Sequence, residues 1–197
     1  MSFNRANPSS RYRELLQMYR QLHEQGEPRL ALPPAQTFNG MSLLPQLTRI
    51  KRLIEQTSAN TVLDYGCGKG LQYGPQSIRA PNGTTFDSVI DFWDVVEVHC
   101  YDPCYVPYSK LPQGRFDGVV CTDVLEHCPE QDIPWIIDEI FDYAERFVYA
   151  NVACYPASKH LPNGENAHCT IKPTGWWEEI LRGAASRRPG VIWEVWV

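Results

Sequence analysis

The sequence predicts one α/β unit, a mostly parallel sheet with helices on both faces, on the strength of three observations. From residue 61 onward, short apolar runs alternate with segments of helical period, the pattern of strands joined by crossover helices. The first run, TVLDY at 61–65, passes directly into GCGKG at 66–70, where an open parallel sheet turns from strand to helix and places its ligand. At 197 residues the chain can bury one good core and is short for two enzyme-sized domains.

Taken in order, residues 11–25 put Tyr12, Leu15, Leu16, Tyr19 and Leu22 on one helical face, with Gly26 as the stop. PRLALPPAQTF, 28–38, holds three prolines and reads as an irregular connector. Ser42 is placed to cap a second helix in which Leu43, Leu47, Ile50 and Ile54 recur. Residues 1–40 are expected to form an N-terminal helix and connector, and 41–197 the main globular unit. The two extra N-terminal helices are expected to lie over it as a flap.

The glycine loop is expected to start a helix, but 71–95 has no clear helical period and predicts a partly irregular insertion. VEVHCY, 96–101, is a second strand, and GVVCT, 118–122, a third. A helix capped by Asp132, with Pro134 in its first turn, turns Trp135, Ile136, Ile140, Phe141 and Ala144 inward. FVYANVA, 147–153, is a fourth strand; a helix follows Thr174, and VIWEVWV closes the chain as a strand. Trp176 and Trp177 at that helix start read as core rather than as a platform for a ligand ring.

Composition narrows the function classes. Hydrophobic residues make up 43% and charged residues 21%, and no apolar run is long enough to cross a membrane. The opening MSFNRANPSSRYRELL lacks the apolar middle of a secretory signal. Seven cysteines, an odd number scattered through strands and loops, suit reduced thiols and a cytoplasmic protein. Cys154, His160, His168 and Cys169 can be grouped as a zinc set, but no paired CxxC supports it. A net charge of −5 gives nucleic acid no support as a partner. Oligomeric state is not legible.

The loop itself carries Gly66, Gly68 and Gly70 behind Asp64. A carboxylate beside a diphosphate is repelled, whereas beside a cation it is attractive. The order Asp-x-Gly-x-Gly-x-Gly therefore suits a ligand bearing ammonium and sulfonium charge. VLDYGCGKG (62–70), VHCYDP (98–103) and RFDGVVCTDVLEH (115–127) resemble, in order, three motifs of the class I S-adenosylmethionine-dependent methyltransferases. The resemblance covers about residues 41–156 and implies a Rossmann-like fold. It implies that Asp64, Gly66, Cys67 and Gly68 line the methionine end of S-adenosylmethionine, and that Gly70 belongs to the same cofactor-binding loop. It implies that Asp102 accepts from both ribose hydroxyls, and that Asp123 lies near the sulfonium and the acceptor.

Two spacings depart from that pattern. Asp64 and Asp102 stand 38 positions apart, against the roughly 20 of analogous ribose acids, so Asp91 and Asp94 remain rival ribose ligands. Only fourteen residues separate Asp102 from Asp117, too few for the usual helix, third strand and adenine-recognising acid. A reduced third-strand region is expected, with Tyr105 or Leu111 at the adenine edge. Family members usually end in a strand hairpin; here the last strand is absent or an earlier one lies hidden in 165–172.

Methyl transfer from sulfur is an in-line displacement, so alignment and exclusion of water are the protein's main tasks. A hydroxyl acceptor also has to lose a proton. Asp123, Glu126 and His127 share a face if a helix begins near 123, and His168 can fold over the same sheet edge. Together they form a candidate set for a divalent metal (Mg or Mn) acting as Lewis acid. A similar group is found in metal-dependent small-RNA 3′-terminal 2′-O-methyltransferases, with related residues in ubiquinone-pathway O-methyltransferases. The alternatives are His127 or His168 as a metal-free general base beside Asp123, or a Glu-His pair that only shapes the cofactor pocket. CTDVLEH lacks the D/N-P-P-aromatic stretch of amino-DNA methyltransferases, and the Pro103-Cys104 pair sits after the wrong strand for a cytosine-C5 nucleophile. The expected acceptor is a small-molecule or sugar-like hydroxyl. RNA 2′-O-methylation and a non-catalytic cofactor-binding partner protein are the alternatives.

Overall fold

In the computed structural model, which describes residues 3–197, the N-terminal apolar face becomes helix α1, Ser10–Gln25. Ser9 caps it by accepting from the Tyr12 amide at 3.0 Å, and Gly26, at φ 84°, ends it. Helix α2 is Leu47–Thr57. It starts later than the sequence suggested, because Pro45 disfavours α backbone at the residue before it and leaves Met41–Gln46 as a 3₁₀ segment. Ser42 therefore caps no α-helix.

Strand β1 is Thr61–Tyr65. The helix expected after the glycine loop is cut to the single 3₁₀ turn Leu71–Tyr73, since Gly74-Pro75 cannot continue it. The rest of the insertion is a two-stranded antiparallel ribbon, β2 (Ile78–Arg79) with β3 (Thr85–Phe86), and the short helix α3, Val89–Trp93. Then come β4 (Glu97–Tyr101), β5 (Phe116–Thr122), α4 (Ile133–Tyr143), β6 (Ala144–Asn151), α5 (Thr174–Ala185) and β7 (Ile192–Trp196).

The five long strands form one sheet in the order β4-β1-β5-β6-β7, and every pairing in it is parallel. Between β4 and β5 there is only the 3₁₀ turn Val106–Tyr108, so the third-strand region is reduced as the spacing required and β4 is an edge. No strand occupies 165–172, and β7 pairs parallel to β6.

Alternation along the strands divides the core. Leu63, Val119, Cys121, Val148 and Ala150 pack with α4, α5 and Tyr12 of α1. Val62, Val120, Phe147 and Tyr149 face α2 and α3, where Trp93 is fully buried and bonds the Leu47 carbonyl at 3.1 Å. Trp177 is core, as the sequence indicated. Pro134 lies in the first turn of α4 as expected, but Asp132 does not cap the helix. Its carboxylate instead accepts from the Trp135 indole (2.9 Å), the Ser9 amide (3.0 Å) and the Ser9 hydroxyl, tying the starts of α1 and α4 together. Among the described residues no helix is long and apolar enough to cross a membrane.

Gly118 of β5 is paired with Phe147 of β6, and a Cβ there would lie 2.1 Å from the Phe147 ring. Gly118→Ala is expected to lower stability by about 1–3 kcal/mol through overpacking of the central sheet; a thermal melt at neutral pH checks it.

Candidate active site

The strand order reverses between β1 and β5, where the chain leaves β1 for one edge and then crosses to the other side. A cleft opens there beyond the carboxyl ends of the strands, as open α/β sheets dictate. Its floor is the glycine loop. Gly66, Gly68 and Gly70 all take positive φ (88°, 59° and 66°). A Cβ at Gly66 would sit 2.3 Å from the Val124 side chain, and one at Gly68 2.2 Å from the Phe38 carbonyl oxygen.

The loop's amides are all engaged within the protein. Gly66 and Cys67 both donate to the Tyr101 carbonyl (2.7 and 3.1 Å), Lys69 to the Phe38 carbonyl (2.8 Å) and Gly70 to the Cys67 carbonyl (3.1 Å). Gly68 donates to Asp102 Oδ2 at 3.0 Å. A diphosphate cradle requires such N–H groups to point at the ligand, so this loop is not built for an anion.

Asp64 is not at the mouth of the loop, where the charge argument from sequence put it. It is buried beneath, absent from the cleft lining, with Oδ2 accepting from Gln72 Nε2 (3.0 Å) and the Tyr73 hydroxyl (2.8 Å). Oδ1 has no partner. Loss of solvation pushes its pKa up to about 7, against those two hydrogen bonds. Cys67 is likewise buried, its thiol directed at the Gly68 carbonyl (3.4 Å), and the cleft is lined by Gly66 and Gly68 but by neither Cys67 nor Gly70.

Asp102 does line the cleft. Its Oδ1 accepts from the amides of Cys104 (2.8 Å) and Tyr105 (3.1 Å), and its Oδ2 from Gly68. Burial raises its pKa to about 6 in spite of these donors. Counting lone pairs, one position on Oδ2 stays open. Asp91 is engaged with the Asp87 amide at the start of α3, Asp94 ends that helix, and neither reaches the cleft. Tyr105 stacks on His23, and Leu111 is exposed; neither lines the cleft.

The roof comes from α1 and the connector: Leu15, Tyr19, His23 and Phe38. Lys69 Nζ fastens it, lying 3.0 Å from His23 Nδ1 and 3.0 Å from the Thr37 carbonyl oxygen. Sequence reasoning placed Tyr19 on an apolar face and passed over His23, four residues on, and Lys69. A histidine one turn from a buried tyrosine was the available signal.

Asp123 follows β5 in the left-handed region, φ 60°, with its amide bonded to the Asn151 carbonyl at 2.9 Å. Strain of this kind at a non-glycine residue gathers at functional sites. No α-helix begins here; Leu125–His127 is a 3₁₀ turn. Glu126 is consequently turned into the core, where it accepts from the Ala153 amide at 2.5 Å and its Oε2 has no partner. Burial and the neighbouring Asp123 charge raise its pKa to about 8. The four-residue metal set thus loses Glu126. Asp123, His127 and His168 do come together, each offering a ligand atom within 4.8 Å of the others. The zinc set does not assemble: among the described residues this is the one such group, and Cys169 is an exposed thiol bonded to the His127 carbonyl.

Both histidines are oriented by backbone. His127 Nδ1 is 2.9 Å from the Ala167 carbonyl oxygen, and His168 Nδ1 is 2.6 Å from that of Tyr155. A carbonyl only accepts, so Nδ1 carries the proton in each ring and Nε2 presents a lone pair. His168 Nε2 is 3.8 Å from Asp123 Oδ1. Burial lowers the His127 pKa to about 4, with Asp123 opposing. Asp123 and His127 line the inner cleft, while His168 lines a shallow outer one with Arg11, Glu130 and Asn166. The group is a wall between the two.

An all-parallel open sheet, with a cleft at its switch point and a strained carboxylate flanked by two imidazoles, defines an open α/β domain of the kind that holds its ligand beyond the carboxyl ends of the strands. The chain belongs to a methyltransferase family: the model described as "Methyltransferase domain" matches residues 14–159, most of the 197-residue chain. The fold is that of the class I S-adenosylmethionine-dependent enzymes. Comparison with curated proteins and with solved structures found no match.

Burial of Asp64 has a thermodynamic signature. With a folded pKa of about 7 against an unfolded value near 3.9, the folded state holds one more proton between those limits. Stability contributed by this site therefore falls as pH rises from about 4 to about 7, by about 1.4 kcal/mol per pH unit. In Asp64→Asn that slope disappears, so the variant should lose less stability than the wild type between pH 5 and pH 7 in urea titrations; parallel curves would contradict it.

Proposed function

We propose that this protein transfers a methyl group from S-adenosylmethionine to an oxygen of a small polar acceptor, with the histidine pair beside Asp123 accepting the acceptor's proton. The observation that carries this reading is the convergence of two Nε2 lone pairs and one carboxylate at the end of β5, in the wall of a cleft floored by the glycine loop.

The inner cleft fits a sulfonium compound. It offers the carboxylates of Asp102 and Asp123 and no free loop amides, and of the cations beside it Lys69 is engaged with His23 and Thr37 and Lys159 lies over the Phe38 ring. Gly66 and Gly68 would line the methionine end, and Asp102 would take a ribose hydroxyl. When bound, S-adenosylmethionine supplies a methyl carbon made electrophilic by the positively charged sulfur. The chain's own residues do the rest. Leu15, Tyr19 and Phe38 exclude water from above. An imidazole Nε2 takes the hydroxyl proton, that of His127 being neutral at pH 7, and Asp123 stabilises the imidazolium that results. A thiol or amine would need less of this apparatus. The polar outer cleft beside His168 suits a sugar-like acceptor, and the net charge of −5 favours a small molecule over RNA.

The same three groups support a second reading. Each imidazole has its Nδ1–H held by a carbonyl, the arrangement that orients metal-bound histidines. Two nitrogens and a carboxylate suit Mn²⁺ better than Mg²⁺. That ion would act as Lewis acid on the acceptor oxygen.

Calorimetry with S-adenosylhomocysteine is expected to show binding; its absence overturns the reading. With labelled S-adenosylmethionine and small-molecule extracts, His127→Ala and His168→Ala are each expected to lower transfer about 10²–10⁴-fold while S-adenosylhomocysteine still binds. Binding with no transfer to any extract would make the protein a non-catalytic cofactor binder. EDTA separates the two readings: full activity in its presence supports the proton-accepting pair, and loss restored by Mn²⁺ supports the metal. If His127 is the base, the rate holds from pH 8 down to about 5 and falls below that, because its neutral form persists to about pH 4.

A further inference from the structure

The ribose contact has an unfilled half. Asp102 already accepts three amide hydrogens, so by its lone pairs it can take one hydroxyl and not both members of a vicinal diol. A second polar group is needed, and it has to be a donor or acceptor in the same part of the cleft.

His23 of α1 stands there. The Lys69 ammonium, 3.0 Å from His23 Nδ1, has only hydrogens to give, so Nδ1 accepts and the ring proton sits on Nε2. That Nε2 is 3.9 Å from Asp102 Oδ1, beyond hydrogen-bonding distance, and among the described residues it has no acceptor. His23 and Asp102 both line the cleft. The ring cannot easily turn away: it stacks on Tyr105 (centroids 5.3 Å apart, planes 24° from parallel) and lies against Phe38 at 4.9 Å. His23 is only 6% exposed. A donor is therefore fixed, almost buried and unpartnered, in the same cleft as a carboxylate whose Oδ2 has one position open.

We propose that His23 is the second ligand of the cofactor's ribose diol, its Nε2–H donating to one hydroxyl oxygen while Asp102 accepts from the other hydroxyl. This rests on the S-adenosylmethionine reading above. It assigns a binding role to the N-terminal helix, which would close on the ligand through its own side chain rather than merely cover it.

The test is calorimetry with S-adenosylhomocysteine and its 2′-deoxy and 3′-deoxy analogues. The wild type is expected to bind each deoxy analogue about tenfold more weakly than the parent, since each lacks one of the two contacts. His23→Phe keeps a stacking ring and removes the N–H; it should bind the parent about tenfold more weakly and lose nothing further with one of the two analogues. His23→Gln, which keeps a donor and an acceptor, should bind close to wild type. A wild-type protein that binds either deoxy analogue as tightly as the parent overturns the proposal without recourse to any variant. So does a His23→Phe protein with wild-type affinity, or one whose losses add fully to those of both analogues. A wild type that does not bind S-adenosylhomocysteine at all removes the underlying reading together with this one.

Discussion

The structure hangs on the left-handed backbone of Gly66, Gly68 and Gly70. Because these residues have no Cβ, β1 can end within touching distance of three other segments: Val124 after β5, Phe38 of the connector, and Tyr108 after β4. Each contact would be a steric overlap for any other residue. The same compression turns the loop amides inward, toward Tyr101, Asp102, Phe38 and Cys67. One local constraint thereby sets the floor of the cleft, joins the two strands that flank it, and strips it of anion-binding donors.

Electrostatics follow from that arrangement. Asp64 and Asp102 are raised toward neutrality mainly by burial, and Glu126 by burial with the Asp123 charge added. The direct attraction between a loop-mouth carboxylate and a cationic ligand, attractive as an argument from sequence, is not how this cleft is polarised. What faces the cleft is the carboxylates of Asp102 and Asp123, over a loop whose own amides are all engaged. Of the ammonium groups beside the cleft, Lys69 is held by α1 and the connector, and Lys159 lies over the Phe38 ring.

The N-terminal helix is part of the site rather than a lid over a finished one. Tyr19 donates to the Ala167 carbonyl at 2.5 Å and lies 3.0 Å from His127 Nδ1, and His23 faces Asp102. The loop between β6 and α5 packs Leu161 and Ala167 against Leu15, Met18 and Leu22 of the helix. His127, roof and return loop are thus one packed unit, so a shift of α1 would move both ends of the cleft together.

Periodicity and spacing alone determined the parallel α/β sheet, the trimmed segment between β4 and β5, the irregular insertion and the core role of Trp177. These are properties of local pattern and chain length. Helix starts were less legible where a proline intervened, at Pro45 and Pro75, or where a side chain found a distant partner, as Asp132 found Ser9 and Trp135. The residue types at the site were visible in the motifs, but their roles were not. Asp64 lies beneath the loop, Glu126 turns inward and His23 faces Asp102 because of how segments far apart in sequence pack. Spacing along a chain carries the distance between neighbours; burial, lone-pair occupancy and the direction a ring nitrogen faces exist only once the chain has closed on itself.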